Sequence, residues 1–527
     1  EPSPGERPEW LLGLAFAEAN KDRYLTLARL ARLPGIVWSL WGAWLIGKWA
    51  RELFGSAAGC LATALWCFDP TVIAFAQAVT PDVPASVAGL TAMYVFWRYL
   101  REPTWRLAAF AGLVLGIAEL TKFTLLVLYA IIAWPLAVSL VRKAMRRERK
   151  AGTSSTSTTG AHFALMVAIS LVVLPAGYGF QGMGRPLGEL DLFSRALSQP
   201  RELLRRWPGT GLLTENLPLP LPRDYVQGID LQYRDFEAGF PSYLFGEWRH
   251  RGWWYYYLVA LAVKVPIGTL ALLLWGVGRW LLRPETVPEE AGLCLVLTPF
   301  LILFLVSAQT GFNHHMRYVL PALPFLFVLA GGPLASVGRL RSLVRVLVAL
   351  LLGATALSSV RVHPHQLSYF NEAIGGPAHG DRVLVDSNID WGQDLSHLKQ
   401  WIDERPEEGP ISLAFYHILD PKTFGIDYVL PPVGPSGTFR DDVAYQSTLG
   451  PRSGTFAVSV NHLRGSVFPA PDGRGGYHWS GRGHFEYFQK FQPIARAGHS
   501  INIYRIDAEE AEAVRRSMGL PPALDSP

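Results

Sequence analysis

The residues able to carry chemistry in this chain are few, and four of them stand at the ends of apolar runs. Asp82 lies in TPDVP, Lys122 in ELTKFT, Lys264 in LAVKVP, and Arg317 in the run NHHMRYVLP from Asn313 to Pro321. A carboxylate facing several cations at one membrane interface suits group transfer from a lipid phosphate. The acid positions or deprotonates an acceptor hydroxyl, while Lys and Arg stabilise the departing phosphate charge. The same cations suit binding of a monophosphate or diphosphate headgroup.

Plainer readings stand beside these. Asp82 precedes Val83 and Pro84 at a helix start, where an N-cap explains it as well as a site does. Lys122 and Lys264 can snorkel to the interface, Arg317 can anchor its helix, and Glu119 can simply neutralise Lys122. His314 and His315 are adjacent and point apart on a helix or strand, so a shared metal is the weaker reading. His363 and His365 in VHPHQ have alternate spacing but lack a third ligand, which leaves loop polarity ahead of a metal site. Asp386, Asp390 and Asp394 recur at intervals of four, and capping of a helix starting near Gly392 accounts at least for Asp390. No metal ligand set is assigned, and a divalent metal remains open as a cofactor.

The elements that must position these groups are mostly membrane-spanning. The chain has 527 residues, half of them hydrophobic (50%) and only 17% charged, with a mean hydropathy of +0.19. Apolar residues gather into runs near the ~20 residues a bilayer span requires. Ten such runs fall at about 34–53, 57–79, 83–100, 105–121, 123–141, 162–180, 264–282, 291–308, 318–336 and 342–360. The net charge of +5 therefore reflects basic membrane loops and not nucleic-acid binding. Cys60, Cys67 and Cys294 lie inside apolar runs, with no disulfide framework implied.

Basic residues set the orientation. Lys48 and Arg51, Arg98 to Arg106, Arg142 to Lys150, Arg279 and Arg283, and Arg339 to Arg345 share one side, against Lys122 and Arg317 on the other. The positive-inside rule makes the first side cytoplasmic, so both termini, TPDVP and the long insert 181–263 are expected outside, at the plasma (inner) membrane. TSSTSTTG at 153–160 reads as a flexible linker. Residues 1–33 read as an interfacial helix feeding the first span. The insert ends in GWWYYYLVALAVKVP, where Trp253 and Tyr255 have rings suited to the headgroup boundary and to donor or acceptor contact.

From 362 to the C-terminus the composition turns soluble. DRVLVDSNIDW reads as a strand and turn, ISLAFYHI, GTFAVSVNHL and INIYRI as strands, and GQDLSHLKQWIDER and AEEAEAVRRSMGL as helices, which makes a small extracytoplasmic α/β domain.

ARLPGIVWSLWGAWLIGKWARELFG, AQAVTPDVPAS, AELTKFT and HHMRYVLPALPFLFVLAG, in this order, resemble the GT-C superfamily of membrane glycosyltransferases. The similarity is to the protein mannosyltransferase and aminoarabinose transferase type, glycosyltransferase family 39-like. It spans most of residues 25 to 360, while YFNEAIGG and DSNIDWGQDLSHLKQWI are similar to bacterial members with an extracytoplasmic domain. The resemblance implies inverting transfer of a sugar from a polyprenyl-phosphate donor to a lipid, protein or glycan acceptor at the outer face. It implies Asp82 as the acid of the second outer loop, Lys122 and Arg317 near the donor phosphate with Lys264 beside them, and His314, His315, Trp253 and Tyr255 as candidate contacts. The family's principal catalytic acid follows a span that has no counterpart here, so the chain is expected to be truncated before Glu1. A transporter or lipid flippase, or a non-catalytic scaffold, are the alternative classes; no internal repeat of the transporter kind is visible.

Overall fold

The computed structural model describes residues 8–145, 153–206, 215–335, 341–436 and 442–523. By internal contacts the chain divides into two units. One holds Ala28–Ser242 and Arg249–Arg361, the other Arg7–Leu27, Tyr243–Trp248 and Val362–Pro527.

In the first unit helix occupies every one of the ten predicted runs, from Leu33–Phe54 to Arg341–Val362. Among the described residues, four helices are long and apolar enough to cross a membrane: Thr158–Gly177, Glu289–Ala308, Met316–Ala335 and Ser342–Val362. Ser56–Phe68 and Pro70–Gln77, bent by 58°, form a fifth if taken as one span. The bend falls at Asp69, whose carboxylate accepts from Thr71 N and Val72 N and so restarts the helix at Pro70. Arg146, Arg147, Arg149, Lys150 and Arg339, used above to orient the chain, lie outside the described residues.

Aromatic rings fill the centre of this unit. Trp49 packs on Trp97 at 5.7 Å and on Phe325 at 6.4 Å, and Trp66 meets Phe327 at 6.5 Å, so helices Leu33–Phe54, Ser56–Phe68, Asp82–Arg101 and Leu323–Leu329 share one core. Helices Trp105–Glu119 and Thr153–Gly177 approach more closely. A Cβ on Gly112 would lie 2.6 Å from the Met166 carbonyl oxygen, and one on Gly116 2.7 Å from Val173. Small residues four apart let two backbones meet in this way.

Two expectations fail here. The run TSSTSTTG is not a linker but the start of helix Thr153–Gly177; it has no Pro or Gly before Gly160 to stop the helix, and Ser and Thr oppose it only mildly. The N-terminal segment is two helices, Pro8–Ala19 and Tyr24–Ala31, parted by a turn in which Arg23 N donates to Asn20 O.

Nine short strands are described: β1 (Ser242–Leu244), β2 (Glu247–Arg249), β3 (Ile411–Ala414), β4 (Tyr428–Val429), β5 (Gly454–Ser459), β6 (Pro469–Pro471), β7 (Tyr477–Trp479), β8 (Ala495–Ala497) and β9 (Ile501–Ile506). In the second unit a mixed sheet runs β4-β3-β5-β9-β8, with β3 parallel to β4 and β5, and β9 antiparallel to β5 and β8. Helix Leu395–Asp403 covers one face with Leu395 and Leu398, against Leu413, Phe415, Ile501 and Ile503. The predicted strands at 411, 454 and 501 and the helices near 395 and 508 are present. DRVLVDSNIDW is not a strand: it folds as 3-10 turns Pro377–Arg382 and Asp386–Asn388. Asp386 takes φ +64°, and its N–H goes to Asn461 Oδ1 at 2.7 Å, which removes it from any ladder.

Candidate functional site

Pro81 and Pro84 bracket the start of helix Asp82–Arg101, supplying fixed φ angles where helical N–H groups have no partner. Asp82 is therefore the first helical residue, not the N-cap, and its side chain makes no capping bond. It turns inward instead. Lys122 Nζ lies 2.6 Å from its Oδ1 and Arg317 Nη1 3.6 Å from its Oδ2. The carboxylate is also favoured by its place at a helix N-terminus.

The two cations arrive from breaks in the helices. Helix Trp105–Glu119 ends where Thr121 Oγ1 bonds back to Ala118 O, and Lys122 is extended before the 3-10 turn Phe123–Leu126. Arg317 enters on the 3-10 helix Met316–Ala322, after an extended His315. Tyr318 lies between them. Lys122 Nζ stands 5.1 Å and the Arg317 guanidinium 5.5 Å from the ring centroid. Tyr318 was missed by the sequence reasoning; its signal was its place beside Arg317 in RYVLP.

Exposure separates the roles. The Asp82 side chain is 1% exposed, those of Lys122 and Arg317 15% and 20%. A ligand arriving from solvent meets two cations with one carboxylate behind them. Such a surface binds an oxyanion and holds its charge as a bond to it breaks.

The remaining candidates divide. Lys264 is buried, and the charge that bears on it is Asp69, not Asp82. Asp69 is also the N-cap of helix Pro70–Gln77. Trp253 is buried, donates its backbone N–H to Asn313 Oδ1 at 3.0 Å and carries the Arg249 guanidinium 4.9 Å from its ring. Tyr256 OH donates to His314 O at 2.8 Å and Tyr257 OH to Phe312 O at 3.2 Å, so the aromatic stretch fixes the backbone before Arg317. Tyr255 is exposed and touches Trp254. His314 meets Phe240 and Phe312 edge to face, and His315 meets Tyr318 in the same way. Glu119 does not neutralise Lys122: it is buried and accepts from Tyr225 OH at 3.5 Å.

In the second unit the three aspartates do not form one set. Asp390 is buried, accepts from Gly392 N at 3.0 Å and from the Ser459 hydroxyl, and caps no helix, since the helix begins at Leu395. His363 pairs with Gln366 Nε2 at 2.9 Å, whereas His365 turns to Asp394, its Nδ1 3.3 Å from Oδ1.

Residues 26–173 match the family model of the dolichyl-phosphate-mannose-protein mannosyltransferases. This match supports what the motifs resembled, a GT-C superfamily membrane glycosyltransferase, over the stretch that holds Asp82 and Lys122. Among solved structures the chain is similar to ArnT from Cupriavidus metallidurans bound to undecaprenyl phosphate, at 12% identity and TM-score 0.36, covering 90% of this chain and 83% of that one. The same protein in the apo state gives 13% identity and TM-score 0.36, covering 90% and 82%. At these values the likeness carries no argument about activity. No curated protein matches.

Proposed function

We propose that the chain transfers a sugar from a polyprenyl-phosphate donor to an acceptor at the outer face of the membrane, with inversion. The observation that carries this reading is the pair of partly exposed cations, Lys122 and Arg317, held by one buried carboxylate, Asp82. The cations take the donor phosphate and stabilise the charge it gains as the glycosidic bond breaks. Asp82, with both oxygens turned to the cations, is a positioning residue: it fixes where they stand. Lys264 is assigned no phosphate contact, because its own charge partner is Asp69. The orientation with the C-terminal unit outside rests on the basic loops.

The test is transfer from a radiolabelled polyprenyl-phosphate sugar to membrane acceptors in cells expressing the full-length protein. Asp82→Asn and Lys122→Ala should each lower turnover about 100-fold, the scale of one charge-stabilising group. Full turnover by both variants would refute the assignment.

A further inference from the structure

In the second unit, His365 meets two groups at the start of helix Leu395–Asp403, twenty-nine and more residues further on. His365, Asp394 and His397 each offer one ligand atom, all within 4.8 Å of one another. His365 Nδ1 and Asp394 Oδ1 are 3.3 Å apart, which is long for a charge-assisted hydrogen bond. It matches the edge of about 3.3 Å between neighbouring ligands in a tetrahedron around an ion bound at ~2.0–2.1 Å. The rings of His365 and His397 lie 4.7 Å apart by centroid, and His499 sits edge-on to His365 at 5.1 Å.

The carboxylate is held for this arrangement. Asp394 is 1% exposed, and its Oδ2 accepts from His499 N at 2.9 Å and Ser500 N at 3.0 Å, leaving Oδ1 to face His365. The chain comes this close only because residue 498 is glycine: a Cβ there would fall 2.1 Å from the Asp394 carboxyl carbon, at φ +56°. Outer bonds of this kind orient a metal-binding carboxylate.

We propose that His365, Asp394 and His397 form a binding site for a borderline divalent cation, Zn2+ first, with one coordination position left to water. Two imidazoles and a carboxylate select transition metals over Ca2+ or Mg2+. The ion ties the segment entering the second unit at His365 to helix Leu395–Asp403, and this role is separate from sugar transfer. His397 is partly exposed, so its ring can turn to close any ligand distance too wide for one ion.

The full chain, purified in detergent and stripped with EDTA, is titrated calorimetrically with ZnCl2. One equivalent is expected to bind with submicromolar affinity and to raise the melting temperature, since the ion binds the folded state. His365→Ala and His397→Ala should each weaken binding by about 100-fold, and His363→Ala should leave it unchanged. Should either alanine variant fail to fold, Co2+ added to the stripped wild type decides. Intense visible absorption of four-coordinate, nitrogen-ligated Co2+ supports the site, and the weak spectrum of the hydrated ion overturns it. Less than one equivalent of Zn2+, or unchanged affinity in both folded variants, overturns it equally.

Discussion

Lys122 Nζ stands 2.6 Å from Asp82 Oδ1 although forty residues separate them, whereas Arg317, on the other oxygen, is 3.6 Å away. One cation is hydrogen-bonded to the carboxylate and the other only attracted to it. The two cations therefore differ in how closely each engages the carboxylate.

A double-mutant cycle should show the pairing directly. Asp82→Asn and Lys122→Met, separately and together, are measured by kcat/KM for sugar transfer. Their coupling should reach about 1–3 kcal/mol, as for contacting residues in one charged network. Additive losses would mean that the two act independently.

For Arg317 the expected defect is different. Arg317→Lys keeps the charge but loses the planar fork, and should raise KM about tenfold with a smaller change in kcat. Tyr318→Phe should resemble wild type, while Tyr318→Leu, which removes the ring shared by both cations, should lose about fivefold in kcat/KM. Steady-state kinetics with varied donor check both.

Packing in the first unit can be probed at Gly112. Gly112→Ala forces a Cβ to within 2.6 Å of a backbone oxygen, so helices Trp105–Glu119 and Thr153–Gly177 must part. The expected loss is about 1–3 kcal/mol, seen as a lower melting temperature in detergent. Leu113→Ala, at an exposed position of the same helix, should be nearly neutral.

Acid should weaken the second unit. Burial pushes His462 and His417 down to about 4. His462 is enclosed between the Phe415 carbonyl and the Ser480 hydroxyl. Their folded-state values lie below the unfolded ~6.5. Their contribution is therefore complete above that value and lost as pH falls toward 4. Asp390, pushed up to about 7 by burial, has the opposite sign: its contribution is present below its unfolded ~3.9 and fades as pH rises through 7. Two histidines outweigh one aspartate, so the calorimetric transition should drop between pH 6.5 and 4.5. Asp390→Asn should make the drop steeper. A transition that rises on acidification contradicts the assignment.

The ten helical stretches were legible because each is a continuous apolar run, although among the described residues only four helices, or five with the bent pair, are long and apolar enough to cross a membrane. The sheet was legible only in part. β5 and β9 have six residues each and alternate or fill with β-branched side chains, whereas β4, β6, β7 and β8 have two or three and leave no periodic trace. DRVLVDSNIDW alternates well enough to suggest a strand, but Asp386 in the left-handed region breaks it. Charges isolated between apolar runs pointed to Asp82, Lys122 and Arg317, yet spacing could not assign Lys264 to Asp69. Nor could it pair His365 with Asp394 and His397 ahead of its nearer neighbour His363.

The edge strands of the five-stranded sheet have a further meaning. β4 spans two residues and β8 three, so neither margin offers more than a few unpaired backbone groups in line. A strand from another molecule would gain too few bonds to add itself there. Brevity at the margins thus works against edge-to-edge aggregation of the second unit, and lengthening either margin into a continuous apolar strand would remove that protection.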